Sequence, residues 1–156
     1  MQLHTSFYGN LKNVPADHFI IFVSGGLTPG LEEKCDVWDK NLAPSKSIFF
    51  DYKEDGNIVK YVERFKKERL SQIDWLERLE YYEEEANRLG KSLDNIVFFC
   101  YEAAGSDDGK GHFCHRHILA ESLENEFKTK VVEHGFEDCI RDNYKLKQPI
   151  SADFLF

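Results

Sequence analysis

Two short apolar runs constrain the fold most: His18-Phe19-Ile20-Ile21-Phe22-Val23 and Asn95-Ile96-Val97-Phe98-Phe99-Cys100, neither of which alternates apolar with polar residues. An alternating strand has one wet face, whereas an unalternating one must be covered on both. Each run is therefore read as a central strand in a sheet flanked by helices. Both stop abruptly. Ser24-Gly25-Gly26-Leu27-Thr28-Pro29-Gly30 follows the first and reads as a loop. Tyr101-Glu102 ends the second, ahead of a polar stretch, 103–111, whose three glycines and two aspartates cannot fill a core and read as a flexible loop.

The remaining pattern fits the same architecture. Residues 3–8 and the pair Val131-Val132 read as further strands. Ile58, Tyr61, Val62 and Phe65 recur at helical spacing, and Ile73, Leu76 and Leu79 continue a stripe of period near 3.6. Glu83-Glu84-Glu85 is the solvated face of that second helix and Gly90 its stop. Cys114 opens a third helix, with Leu119, Leu123 and Phe127 on one face. Residues 31–56 give only a weak pattern, in which Trp38, Leu42-Ala43-Pro44 and the cluster Ile48-Phe49-Phe50 with Tyr52 are read as packed irregular structure or a short strand. Strands alternating with helices in 156 residues imply an α/β fold, a single three-layer domain spanning 1–156 with a small, mainly parallel sheet. Right-handed crossovers place the loops after both apolar strands on one edge, the edge where open α/β sheets bind ligands.

Composition narrows the partners. Lys and Arg number 20 against 28 for Asp and Glu, a formal charge of −8, which disfavours an extended nucleic-acid groove while leaving room for one small anion held by local cations. No apolar run approaches the roughly 20 residues of a membrane helix, and the N-terminal sequence lacks a basic-then-apolar leader. The four cysteines, Cys35, Cys100, Cys114 and Cys139, include no CxxC pair. Reduced thiols in the cytoplasm are the expectation.

The densest concentration of reactive groups is Cys100-Tyr101-Glu102, then Phe113-Cys114-His115-Arg116-His117 at a helix start. A thiol at a helix N-terminus meets free backbone N–H groups and the positive end of the macrodipole, both of which favour thiolate; the same arrangement binds a phosphate or carboxylate. Arg116 would clamp that anion, with His115 and the backbone of Ser24, Gly25 and Gly26 completing the binding surface. The bland alternative makes Cys114 a small buried hydrophobe and Arg116 a surface cation. Glu102, two residues past a buried strand, is the candidate acid/base or nucleophile, with Glu121 as a rival seven residues after Cys114 and so on the same helical face. His112, Cys114, His115 and His117 with Cys100 are residue types that zinc accepts, but their spacing matches no structural zinc pattern, so neither a metal nor a cofactor is expected. Cys35 and Cys139 are read as packing residues, and His4, His18 and His134 as solitary structural histidines.

The chain resembles a family of prokaryotic and viral proteins known as domain of unknown function 488. The resemblance is carried by Phe7-Tyr8-Gly9-Asn10, Ile21-Phe22-Val23-Ser24-Gly25-Gly26 with Pro29, Leu42-Ala43-Pro44-Ser45, and above all Phe99-Cys100-Tyr101-Glu102 followed by Cys114-His115-Arg116-His117. It implies a compact α/β domain whose paired cysteines, glutamate and Cys-His-Arg form an enzyme-like site, and it supplies no substrate. The stretch 103–111 is longer than is usual in the family. The leading expectation is an enzyme acting on a small anionic metabolite, a nucleotide or phosphorylated sugar. In it Cys114 is nucleophile or anion-site thiol, Cys100 a resolving or supporting thiol, Glu102 acid/base or nucleophile and Arg116 the clamp; a glycosidic-bond reaction with Glu102 as nucleophile fits equally well. The alternatives are a non-catalytic, ligand-sequestering or regulatory module using the same pocket, and an acidic protein-interaction protein working through Glu83, Glu84 and Glu85.

Overall fold

Successive side chains of the two apolar runs go to opposite faces of one sheet, and both faces are covered. Phe19, Ile21, Ile96, Phe98 and Cys100 enter the larger core cluster, while Ile20, Phe22, Val97 and Phe99 enter a second, smaller one. The computed structural model describes residues 1–101 and 114–136. Its strands are β1 (Gln2–Phe7), β2 (Phe19–Phe22), β3 (Val37–Trp38), β4 (Asn95–Cys100) and β5 (Val131–Glu133). They lie in the order β3-β2-β4-β1-β5 and every pairing is parallel. The chain is thus a single α/β domain built on a parallel five-stranded sheet. Among the described residues no helix is long and apolar enough to cross a membrane.

Four α-helices cover the face with the larger cluster: α1 (Lys46–Asp55), α2 (Ile58–Arg64), α3 (Trp75–Leu89) and α4 (His115–Phe127). Among the described residues the opposite face is covered by the 3-10 helices Tyr8–Asn13 and Leu31–Lys34 and neighbouring connectors, which supply Tyr8, Leu11, Val14, Leu27 and Leu31, together with Trp38 of β3. Helix starts follow capping chemistry. Ser45, Asn57 and Asp74 accept the N–H of Ile48, Lys60 and Glu77, each satisfying an orphan donor of the first turn. Gly56 and Gly90 end α1 and α3 at φ of 63° and 70°, a left-handed conformation that a Cβ disfavours.

Three sequence readings change. The segment 31–56 contains β3 and a ten-residue helix, α1. That helix escapes a periodicity test because it buries only Ile48, leaving Phe49 and Phe50 42% and 62% exposed. In α3 the buried residues are Trp75, Tyr82 and Ala86, and Leu76 is 72% exposed, so the apolar stripe runs in a different phase. His4, His18 and His134 are not solitary: their rings meet with centroids 5.4–6.0 Å apart.

Candidate functional site

β2 and β4 are neighbours in register, Phe22 opposite Phe99, and the chain leaves them in opposite directions, towards β3 and towards β5. A crevice beyond the carboxyl ends of two such strands is where open α/β sheets place ligands. Three segments meet there: the loop after Val23, the end of β4 at Cys100, and the start of α4, with Cys114 as its N-cap. The crevice is a cavity of about 630 Å³, within the usual range for small-molecule sites.

Its buried end carries the reactive groups. Cys100, Cys114 and His115 are 3%, 2% and 8% exposed, and their sulfur and ring-nitrogen atoms all lie within 4.8 Å of one another. Cys100 Sγ is 3.7 Å from His115 Nδ1. The His115 Nε2 lies 2.7 Å from the carbonyl oxygen of Val23, which makes Nε2–H the donor and fixes the tautomer of the neutral ring. That carbonyl is itself immobilised, since Val23 N donates to Phe99 O at 2.9 Å.

The loop of Ser24, Gly25 and Gly26 forms one wall. Ser24 Oγ spends its proton on Gly26 O at 2.8 Å, so the hydrogen bond it shares with Tyr8 Oη is donated by the phenol. Trp38 Nε1 donates to Ser24 O, and Thr28 N donates to Tyr101 Oη, each at 2.8 Å. Three aromatic side chains thereby pin this loop. Burial, more than anything else, raises the Tyr8 hydroxyl above the ordinary phenol range, and the thiols of Cys100 and Cys114 lie close enough to reinforce it.

The other wall is α1. Lys46, Phe49, Phe50 and Lys53 line the cavity, at helical positions i, i+3, i+4 and i+7, with Tyr52 and Tyr61 beside them. Sequence reasoning missed this wall. The signal was present in Ser45 and Gly56, a helix start and stop bracketing a segment without a core stripe.

Arg116 is placed elsewhere. It is fully buried and absent from the cavity lining, so it is not a surface cation. Its Nε and Nη2 donate to Glu133 Oε1 at 3.1 and 2.9 Å, and Thr5 Oγ1 donates to Glu133 Oε2 at 2.6 Å. Burial opposes the guanidinium charge, but the neighbouring Cys114 thiol, the Glu133 carboxylate and the Cys100 thiol together outweigh burial and raise its pKa. The cation is thus within electrostatic reach of both thiols while its Nε and Nη2 donate to Glu133 on β5. Glu121 pairs with Lys66 at 3.2 Å, outside the cavity. Glu102, His112 and the loop 103–111 lie outside the described residues, as does Cys139. Cys35 sits in the smaller cluster on the opposite face, its thiol donating to Glu32 O at 3.2 Å and pushed up in pKa by burial.

The sequence model of the active DUF488-N3 subclade matches residues 8–127, more than three quarters of the chain. The chain belongs to this DUF488 subclade. The matched span contains Ser24, Gly25, Gly26, Cys100, Glu102, Cys114, His115 and Arg116, and it stops short of Glu133. No curated protein and no solved structure matches the chain. The DUF488 assignment and the Cys/Cys/His cluster together describe an enzyme-like ligand or metal site.

Proposed function

We infer that this DUF488 protein is an enzyme acting on a small anionic metabolite of nucleotide or phosphorylated-sugar type. One observation carries the reading: Cys100, Cys114 and His115 converge at the buried end of a cavity whose exposed wall presents Lys46 and Lys53 between aromatic rings. The lysines suit a phosphate and the rings suit a flat base or the apolar face of a sugar. The thiols stand at the end where bond-making groups are shielded from water. Cys114 is assigned as nucleophile or anion-site thiol, Cys100 as its supporting thiol and Glu102 as acid/base, while Arg116 serves the thiols electrostatically.

The test starts with mass spectrometry of small molecules that copurify with the chain, followed by calorimetric titration and turnover assays with phosphate-bearing metabolites. Cys114→Ser and Glu102→Gln are expected to lose turnover and keep ligand affinity, whereas Lys46→Gln with Lys53→Gln loses affinity for the phosphate. Binding without turnover in the unmodified protein would make it a ligand-sequestering module. Absence of binding in the cavity would remove the reading altogether.

A further inference from the structure

We propose that Cys100, Cys114 and His115 bind one thiophilic divalent cation of zinc type, leaving its fourth coordination position open to the cavity. The distances fit. Zinc–sulfur bonds of about 2.3 Å and zinc–nitrogen bonds of about 2.0–2.1 Å give tetrahedral edges of roughly 3.5–3.8 Å. The edge from Cys100 Sγ to His115 Nδ1 already measures 3.7 Å, and every other edge of the triangle is below 4.8 Å. Cys100 Sγ also lies 3.8 Å from Nε2, so the sulfur stands beside the ring and the Cys100 side chain must rotate to reach the Nδ1 lone-pair axis.

The support behind the ligands fits as well. A metal-bound imidazole donates its other ring N–H to a carboxylate or carbonyl, which fixes the tautomer and raises its basicity. His115 does this through Nε2 to the Val23 carbonyl at 2.7 Å, so the lone pair belongs to Nδ1, a nitrogen close to Cys100. Two thiolates and one imidazole form a soft donor set that neutralises a divalent charge. The buried Arg116 guanidinium opposes a cation, but its ion pair with Glu133 offsets part of that opposition. Among the described residues no fourth ligand joins the cluster. Three protein ligands beside a cavity are the arrangement of a site that takes water or a ligand oxygen, in contrast to the four of a structural site. The linear spacing hides this arrangement, because Cys100 arrives on a strand and the adjacent pair Cys114-His115 on the following helix.

This inference does not depend on the chain being catalytic: with the metal bound, Cys114 is a ligand in place of the nucleophile, and the test reads metal, not turnover. The reduced, chelator-treated full chain is titrated with Co²⁺. The expected result is one ion per chain, a sulfur-to-cobalt charge-transfer band with tetrahedral visible bands, displacement by Zn²⁺, and release of the thiol protons on binding. Cys100→Ser and Cys114→Ser should abolish the charge-transfer band or cut its intensity, while Cys35→Ser and Cys139→Ser leave it intact. Because Cys100 and Cys114 also pack in the core, protection of the unmodified chain is the second arm. Bound Co²⁺ should shield Cys100 and Cys114, and not Cys35, from iodoacetamide in a peptide map. Uptake without a thiolate band, shielding of other cysteines instead, or a full band in folded Cys100→Ser and Cys114→Ser would overturn it. Metal binding without turnover would leave it standing and remove only the enzymatic reading.

Discussion

Arg116 and Glu133 form an ion pair inside the protein, Nη2 to Oε1 2.9 Å, with side chains 0% and 1% exposed. Through Thr5, which donates to the same carboxylate, the pair joins the first turn of α4 to β5 and β1. It therefore fixes the helix start that carries Cys114 and His115. Removing either partner strands a buried charge, a loss of about 3–5 kcal/mol. Arg116→Ala and Glu133→Ala are expected to show it in urea unfolding. Arg116→Lys should also destabilise, since a point charge replaces the planar fork that reaches both oxygens. A change within about 0.5 kcal/mol, as at an open surface site, would refute the role.

A second buried polar contact gives an alkaline signature. Tyr82 donates to Asp39 within the core, and burial, reinforced by the Asp39 charge, raises its pKa above the ordinary phenol range. In the unfolded chain a tyrosine loses its proton near about pH 10, while the folded chain keeps it. The folded state then binds more protons, so this contribution is full below that pH and declines above it, by up to about 1.4 kcal/mol per pH unit. Tyr82→Phe should cost about 1.5–3 kcal/mol at neutral pH and flatten the alkaline decline. Urea midpoints of both proteins across the alkaline range check it; parallel curves would contradict the assignment.

The sulfurs of Cys100 and Cys114 are close enough for a third test. Their separation is below 4.8 Å, against about 2.05 Å in a disulfide, so a side-chain rotation brings them together. Diamide should take two hydrogens from this pair, being reduced to the hydrazine as the S–S bond forms. A non-reducing peptide map is expected to contain a Cys100–Cys114 link, and bound Zn²⁺ should slow its formation. Cys35, in the smaller cluster on the other face of the sheet, should remain a thiol. A dominant link through Cys35 or Cys139 would contradict the geometry.

How much of this was legible follows from what each residue does for the core. β2 and β4 stand out because burial on both faces removes alternation, and Gly90 because a left-handed helix end selects glycine. The clustering of Ser24, Gly25 and Gly26 with Cys100 and Cys114 follows from placing two loops at one sheet edge. α1 stays hidden because Ile48 is its one buried core residue while Phe49 and Phe50 face a cavity, so they break the period that a buried helix would keep. Arg116 looks like a surface cation in sequence because nothing local announces Glu133, a partner 17 residues away on a strand. Likewise His4, His18 and His134 meet only once β1, β5 and the residue before β2 are folded together.

Phe50 offers the sharpest separation between the two substrate classes named for the cavity. It is 62% exposed, lies on the same wall as Lys46 and Lys53, and meets Phe49 edge-on at 5.5 Å. Truncating so exposed a ring should change stability by no more than about 0.5 kcal/mol. Stacking of a nucleobase on an aromatic side chain is worth about 1–3 kcal/mol. If the ligand is a nucleotide, Phe50→Ala should weaken it by that amount, and the matching ribose phosphate should bind wild type and variant equally. If the ligand is a phosphorylated sugar, Phe50→Ala should leave affinity nearly unchanged while Lys53→Gln lowers it. Calorimetric titration of both ligand types against wild type, Phe50→Ala and Lys53→Gln reads the difference directly. Equal affinity of all three proteins for both ligands would exclude α1 as a wall of the binding site.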